Sequence, residues 1–106
     1  MRHFLLIILL YFFSRGNAQD IVVVQINAKW NAKNTMEELR ELDNCEYVFG
    51  WLENQPYHIQ SSVSSVPLVV VYKDNTPKRQ YTADITLRLS ATFEEIQTLV
   101  NSLKEQ

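Results

Sequence analysis

Cys45 is the single thiol of the chain, and His3 and His58 are its only imidazoles. One cysteine excludes an internal disulfide, a Cys-x-x-Cys redox pair and a cysteine-based zinc site. Two histidines, one of them at position 3, leave almost nothing for a metal centre or a Ser-His-Asp triad. Asp43 and Glu46 flank Cys45, and nearby negative charge disfavours the thiolate that nucleophilic chemistry needs. Cys45 is therefore expected to be a buried, inert thiol. An intermolecular disulfide stays open if the protein is exported, and monothiol catalysis would require an exposed, electropositive setting. His58, between Tyr57 and Ile59, reads as a surface or boundary residue. No metal and no cofactor is expected. The polar pair with suggestive spacing is Asn31 and Asn34, directly after Trp30. Such amides cap a helix or, beside free N–H groups at a helix amino terminus, hold a carboxylate or peptide.

These residues sit in a chain of 106 with ten Lys+Arg and twelve Asp+Glu, a net charge of −2. That length suits one domain, and the charge supplies no basic field for nucleic acid. An apolar share of 46% with 21% charged residues is ordinary globular usage rather than disorder.

Residues 1–18 read apart from the rest. Arg2 and His3 precede an unbroken apolar run from Phe4 to Phe13, and the stretch ends Gly16-Asn17-Ala18 before Gln19. A charged start, a short apolar core and small residues at the end fit a secretory signal peptide. Ten residues rise only about 15 Å as a helix, too short for a bilayer core. A retained apolar anchor that packs on an assembly or a membrane is the alternative. Residues 19–106 form the expected domain, small enough for a modest core and without an internal disulfide to help it.

The spacing within that domain predicts its elements. Ile21 to Ile26 is a β-branched run without strict alternation, as in a strand buried on both faces. Asn27 to Asn34 reads as a loop. Thr35 with Glu38 three residues on resembles a capping box, and Met36, Leu39 and Leu42 would line one side of a short helix ending near Asp43-Asn44. Cys45 to Leu52 reads as a second strand, with Tyr47, Phe49 and Trp51 on one face. Pro56 opens a one- or two-turn helix through Gln60. Leu68 to Lys73 is the clearest strand, Asp74-Asn75 a hairpin turn, and Lys78 to Tyr81 the returning strand. Thr92 and Glu95 form a capping box before an apolar stripe of Phe93, Ile96, Leu99, Val100 and Leu103. A βαβ unit followed by a ββα unit implies one mixed, four-stranded sheet flanked by helices, an α/β fold.

That order, with Val66-Pro67 directly before the third strand, resembles the thioredoxin fold, over about Ile21 to Leu103. In redox-active thioredoxins a matching first strand runs into Ala-x-Trp-Cys-x-x-Cys. Here Ala28 and Trp30 are present, while Asn31 and Asn34 stand where the two cysteines would be. Val63-Ser64-Ser65-Val66-Pro67-Leu68 is similar to the family's segment around its cis-proline, and Tyr72-Lys73-Asp74-Asn75 to its hairpin without the glycine. The family's buried carboxylate on the first strand is matched by Gln25.

Thioredoxin chemistry needs a low-pKa thiolate and a second thiol to resolve the mixed disulfide, and asparagine supplies neither. The resemblance thus implies a redox-inactive member and no enzyme. It also implies a binding or scaffold role, with a protein or peptide partner engaged at Trp30, Asn31, Asn34, Val66 and Pro67. In the family the residue before the cis-proline offers its backbone to an extended peptide, a strand-addition mode. The expected location is exported. The alternatives are a structural subunit held by a retained amino-terminal segment and a thiol-dependent enzyme using Cys45.

Overall fold

The computed structural model describes residues 20–106; the segment 1–18, read as signal peptide or anchor, lies outside the described residues. Strand β1 (Ile21–Asn27) is buried along its whole length. It lies at the middle of a sheet ordered β2-β1-β3-β4, in which β2 is Glu46–Trp51, β3 is Leu68–Lys73 and β4 is Thr76–Tyr81. β1 runs parallel to β2, with Val24 opposite Val48, and antiparallel to β3, with Val24 opposite Val70. Asp74 and Asn75 take φ of 52° and 65° and join β3 to β4. Paired positive φ values are what a two-residue hairpin turn asks for, and short polar side chains tolerate them.

A central strand meets side chains on both faces, which explains why β1 lacks alternation. Val22, Val24 and Ile26 pack with Val48, Ile59, Leu68, Val70 and Tyr72 on one face. Ile21 and Val23 pack with Leu39, Val69, Val71, Ile96 and Val100 on the other. Each fully buried aliphatic side chain is worth roughly 1.5–3 kcal/mol relative to exposure. Helix α1 (Tyr57–Gln60) places Ile59 on the first face. Helix α2 (Phe93–Lys104) presents Ile96, Val100 and Leu103 to the second. Its start is a reciprocal capping box. The Thr92 N–H donates to Glu95 Oε1 at 2.9 Å, and the Glu95 N–H donates to Thr92 Oγ1 at 3.1 Å.

The segment between β1 and β2 departs from the sequence expectation. Asn27 belongs to the strand, and 27–34 is no loop: Lys29–Asn34 is a 3-10 helix, followed by a second over Glu37–Glu41. Thr35 is no N-cap: its N–H closes the first 3-10 helix on the Ala32 carbonyl at 3.0 Å, its Oγ1 accepts a hydrogen bond from Asn27 Nδ2 at 2.7 Å, and Met36 precedes the second helix without a side-chain cap. Two causes act together. Met36, Leu39 and Leu42 repeat every three residues, which is the 3-10 period. In addition, the Gln25 side-chain amide pairs with both the N–H and the carbonyl of Met36, so that backbone is taken before an α-helical turn can use it.

Tyr72 is 1% exposed and its hydroxyl has no hydrogen-bond partner among the described residues. Burial pushes its phenol well above the ordinary range. An unpaired buried hydroxyl costs about 1–3 kcal/mol. Tyr72→Phe is therefore expected to raise stability by about 1 kcal/mol, read as a higher urea midpoint with an unchanged slope. A lower midpoint would mean that the hydroxyl is bonded in solution.

Candidate functional site

At the carboxyl end of β1 the chain leaves the sheet beside the turn that enters β3. Asn27, fully buried, organises this corner. Its Nδ2 donates to the Asn31 carbonyl at 3.0 Å and to Thr35 Oγ1 at 2.7 Å. Its Oδ1 accepts from the Ala28 N–H at 2.9 Å and from Asn31 Nδ2 at 3.1 Å. All four hydrogen-bonding positions of that side chain are filled, so its orientation is determined by its neighbours.

Asn31 continues the network across the fold. Its Nδ2 also donates to the Leu87 carbonyl at 3.1 Å, with the Val66 carbonyl at the outer limit, 3.5 Å. Its Oδ1 accepts from Asn34 Nδ2 at 2.8 Å. Asn31 is 3% exposed, and its φ of −112° and ψ of 21° break the helical run around it. That break turns the amide inward while Trp30 beside it stays 68% exposed. The sequence expectation puts Asn31 on a partner-binding face; the structure turns its side chain into the protein. Asn34 is half-buried and its amide is bonded to Asn31.

Val66 and Pro67 are buried and joined by a cis peptide bond. The Val66 N–H donates to no group among the described residues. Leu87 has a φ of 64°, an unfavourable region for a residue with a Cβ, and the Asn31 bond holds its carbonyl there. The loop around it is closed on itself. The Asp84 N–H donates to the Arg88 carbonyl at 2.9 Å, and the Leu87 N–H to the Asp84 carbonyl at 3.0 Å. Thr86 donates its N–H and hydroxyl to Asp84 Oδ1, which holds the Asp84 carboxyl below the usual range. Ile85 stands at the tip, 99% exposed. From the other side, both oxygens of Glu53 accept the Lys29 N–H at 3.0 Å, where the first turn of the 3-10 helix has unpaired N–H groups.

Gln25, fully buried, extends the amides one pleat back along β1. Its Nε2 donates to Tyr47 Oη at 2.7 Å and to the Met36 carbonyl at 3.2 Å; its Oε1 accepts the Met36 N–H at 3.0 Å. An amide can do this and a carboxylate cannot, because one end must donate. Gln25 thus holds structure and carries no titrating proton. Thr35, Ile85, Leu87 and Glu53 belong to this corner too. Sequence reading missed them because no spacing along the chain links position 31 to position 87.

Cys45 lies away from this corner, 9% exposed, among the side chains under α2. Desolvation, helped by the Asp43 charge, pushes its thiol up to about 11. At pH 8 its thiolate is scarce, so alkylation by iodoacetamide is expected to run roughly two orders of magnitude slower than for an unperturbed thiol. A rate matching free cysteine would show the thiol to be open. Among the described residues no three His, Cys, Asp or Glu side chains gather as a metal site needs, and no helix is long and apolar enough to cross a membrane.

No protein-family model and no curated protein matches the chain. Solved structures do. A mutant thioredoxin from Halobacterium salinarum NRC-1 superposes with a TM-score of 0.63 at 17% identity, over 83% of this chain and 78% of that one. The solution structure of the oxidised thioredoxin from Plasmodium falciparum gives 0.50 at 14% identity, over 81% and 83%. The fold is thioredoxin-like: a four-stranded mixed sheet with flanking helices, as the strand order and the Val66-Pro67 segment led one to expect.

Proposed function

We propose that this thioredoxin-like domain works by binding, without thiol–disulfide chemistry, and presents the face around Trp30, Val66 and Pro67 to a protein or peptide partner. The observation that carries the reading is the side chain of Asn31. Where a redox-active thioredoxin would have an outward nucleophilic thiol, this chain has an inward amide bonded to Asn27, Leu87 and Asn34. The second thiol position, Asn34, is occupied by the same network. Cys45, buried with a raised pKa, is a poor substitute nucleophile. What remains is an exposed indole, a buried Val66 N–H with no partner among the described residues, and the hydrogen-bonded 84–88 loop tied to Asn31. A strand of partner could add to that N–H while its side chains meet Trp30. Asn31 and Asn34 serve the site by holding it and do not touch the partner.

In this reading residues 1–18 are a signal peptide and the domain is exported. An intact mass from the native source matching Gln19–Gln106 supports export; a mass that includes Arg2 overturns it.

Two assays test the binding role. Insulin reduction by dithiothreitol should proceed at the same rate with and without the protein, and catalysed reduction would sink the redox-inactive assignment. Titrating the isotopically labelled protein with unfolded, carboxymethylated lactalbumin should shift backbone amides at Trp30, Val66 and 84–88. Shifts confined to other surfaces, or none, would rule out this face.

A further inference from the structure

We infer that the partner segment is acidic and apolar, and that Ile85 is the residue that selects it; this rests on the binding role proposed above. The first observation is Ile85 itself. A β-branched aliphatic side chain at 99% exposure contributes nothing to the core, yet the loop that carries it is fastened at every turn. It is held by the Asp84–Arg88 and Leu87–Asp84 backbone bonds, by Thr86 on Asp84, by a bridge between Ala83 and Leu89, and by Asn31 on Leu87. An apolar group displayed by a rigid loop loses little conformational freedom when it is covered. Trp30, adjacent to Asn31 and 68% exposed, supplies a second apolar contact. The Asn31–Leu87 bond ties the two segments that carry these side chains to one corner.

The second observation is charge. Lys29 and Lys33 flank Trp30, and Arg88 follows Leu87; all three are exposed. The two carboxylates in the same cluster are engaged, Glu53 by the Lys29 N–H and Asp84 by Thr86. The corner therefore carries three cations against two ionised carboxylates, a net charge of +1, with Arg88 acting on Asp84. The rest of residues 20–106 carries ten acidic side chains against five basic ones. An otherwise acidic domain is locally basic where its apolar residues protrude. Complementary charge steers encounter and suppresses wrong partners, so the matching occupant is an extended segment in which Asp or Glu alternates with large aliphatic residues. Alternation suits a strand added at Val66, since successive side chains point to opposite sides.

The test uses two synthetic nonapeptides of one pattern, Leu alternating with Glu or Leu alternating with Lys, titrated into the full chain and followed by Trp fluorescence. The acidic peptide is expected to bind about tenfold or more tighter than the basic one, with the preference shrinking as salt rises. Ile85→Ser should weaken it by about tenfold while leaving the thermal midpoint unchanged, because the side chain is solvent-exposed. Equal binding of both peptides, binding of neither, or indifference to Ile85→Ser overturns the inference. If lactalbumin still shifts the Trp30 and Val66 amides in that case, the binding face stands and only its specificity has been misassigned.

Discussion

Asn31→Asp is expected to cost about 3–5 kcal/mol at neutral pH, the range for stranding a buried charge. In the wild type, Asn31 Nδ2 faces three oxygens: Asn27 Oδ1, the Leu87 carbonyl and, more distantly, the Val66 carbonyl. A carboxylate in its place offers those oxygens only more negative charge. Asn27 cannot rotate to help, because its Nδ2 is held by the Asn31 carbonyl and Thr35, and its Oδ1 by the Ala28 N–H. A domain of this size has a total margin of order 5–15 kcal/mol, so the variant should be partly unfolded at 37 °C. The sign of its pH dependence follows. Burial raises the new carboxyl's folded pKa above its unfolded value of about 3.9. Stability relative to wild type is thus best below that value, where the protonated acid can donate to Leu87. It is lost as pH rises through the folded pKa. Urea midpoints of both proteins from about pH 3 to 8 measure this. A gap that stays constant across that range would show that the introduced carboxylate is solvated, and the inward placement of the amide would be wrong.

Gln25→Leu should cost about 2–3 kcal/mol although it preserves volume and adds apolar surface. The substitution leaves the Met36 N–H and Tyr47 Oη without the Gln25 partner each has now, while the Met36 carbonyl keeps the Leu39 N–H at 3.3 Å; each deserted group carries a desolvation cost of about 1–3 kcal/mol if it stays dry. Tyr47 and Met36 are half-buried, so water relieves part of this. Coupling makes the test sharper. Adding Tyr47→Phe to Gln25→Leu removes one deserted group with its partner, so the double variant should lose less than the sum of the single losses. Strict additivity would mean that the 2.7 Å bond between Gln25 and Tyr47 contributes nothing. Loosening Met36 should also release the 3-10 helix Glu37–Glu41, which it precedes.

Both expectations concern buried amides whose hydrogen bonds are made within the fold. Gln25, Asn31 and Asn34 all direct their amides to partners inside the structure. A thiol at position 31 would have to face outward to react, whereas an amide there gains by facing inward, where donors and acceptors are scarce and each pairing counts for more. The same inward turn holds Leu87 at positive φ and so displays Ile85.

Elements with local causes were legible along the chain. The β-branched run 21–26, the Asp74-Asn75 turn, the Thr92/Glu95 capping box and the stripe on α2 all stand where their spacing put them. Their order was enough to imply the mixed sheet, because short connections leave few ways to pair such strands. The connection from Asn27 to Met36 was not legible in this way. Residues 27–34 read as a loop and Thr35 as the cap of a following helix, and long-range bonds from Gln25 and Asn27 outweighed local preferences worth only about tenths of a kcal/mol per residue. Nor was the direction of Asn31, since it depends on a carbonyl 56 residues away. Side-chain direction at a corner where a 3-10 helix, the Val66-Pro67 turn and the 84–88 loop converge is set by partners remote in sequence, and no periodicity along the chain encodes it.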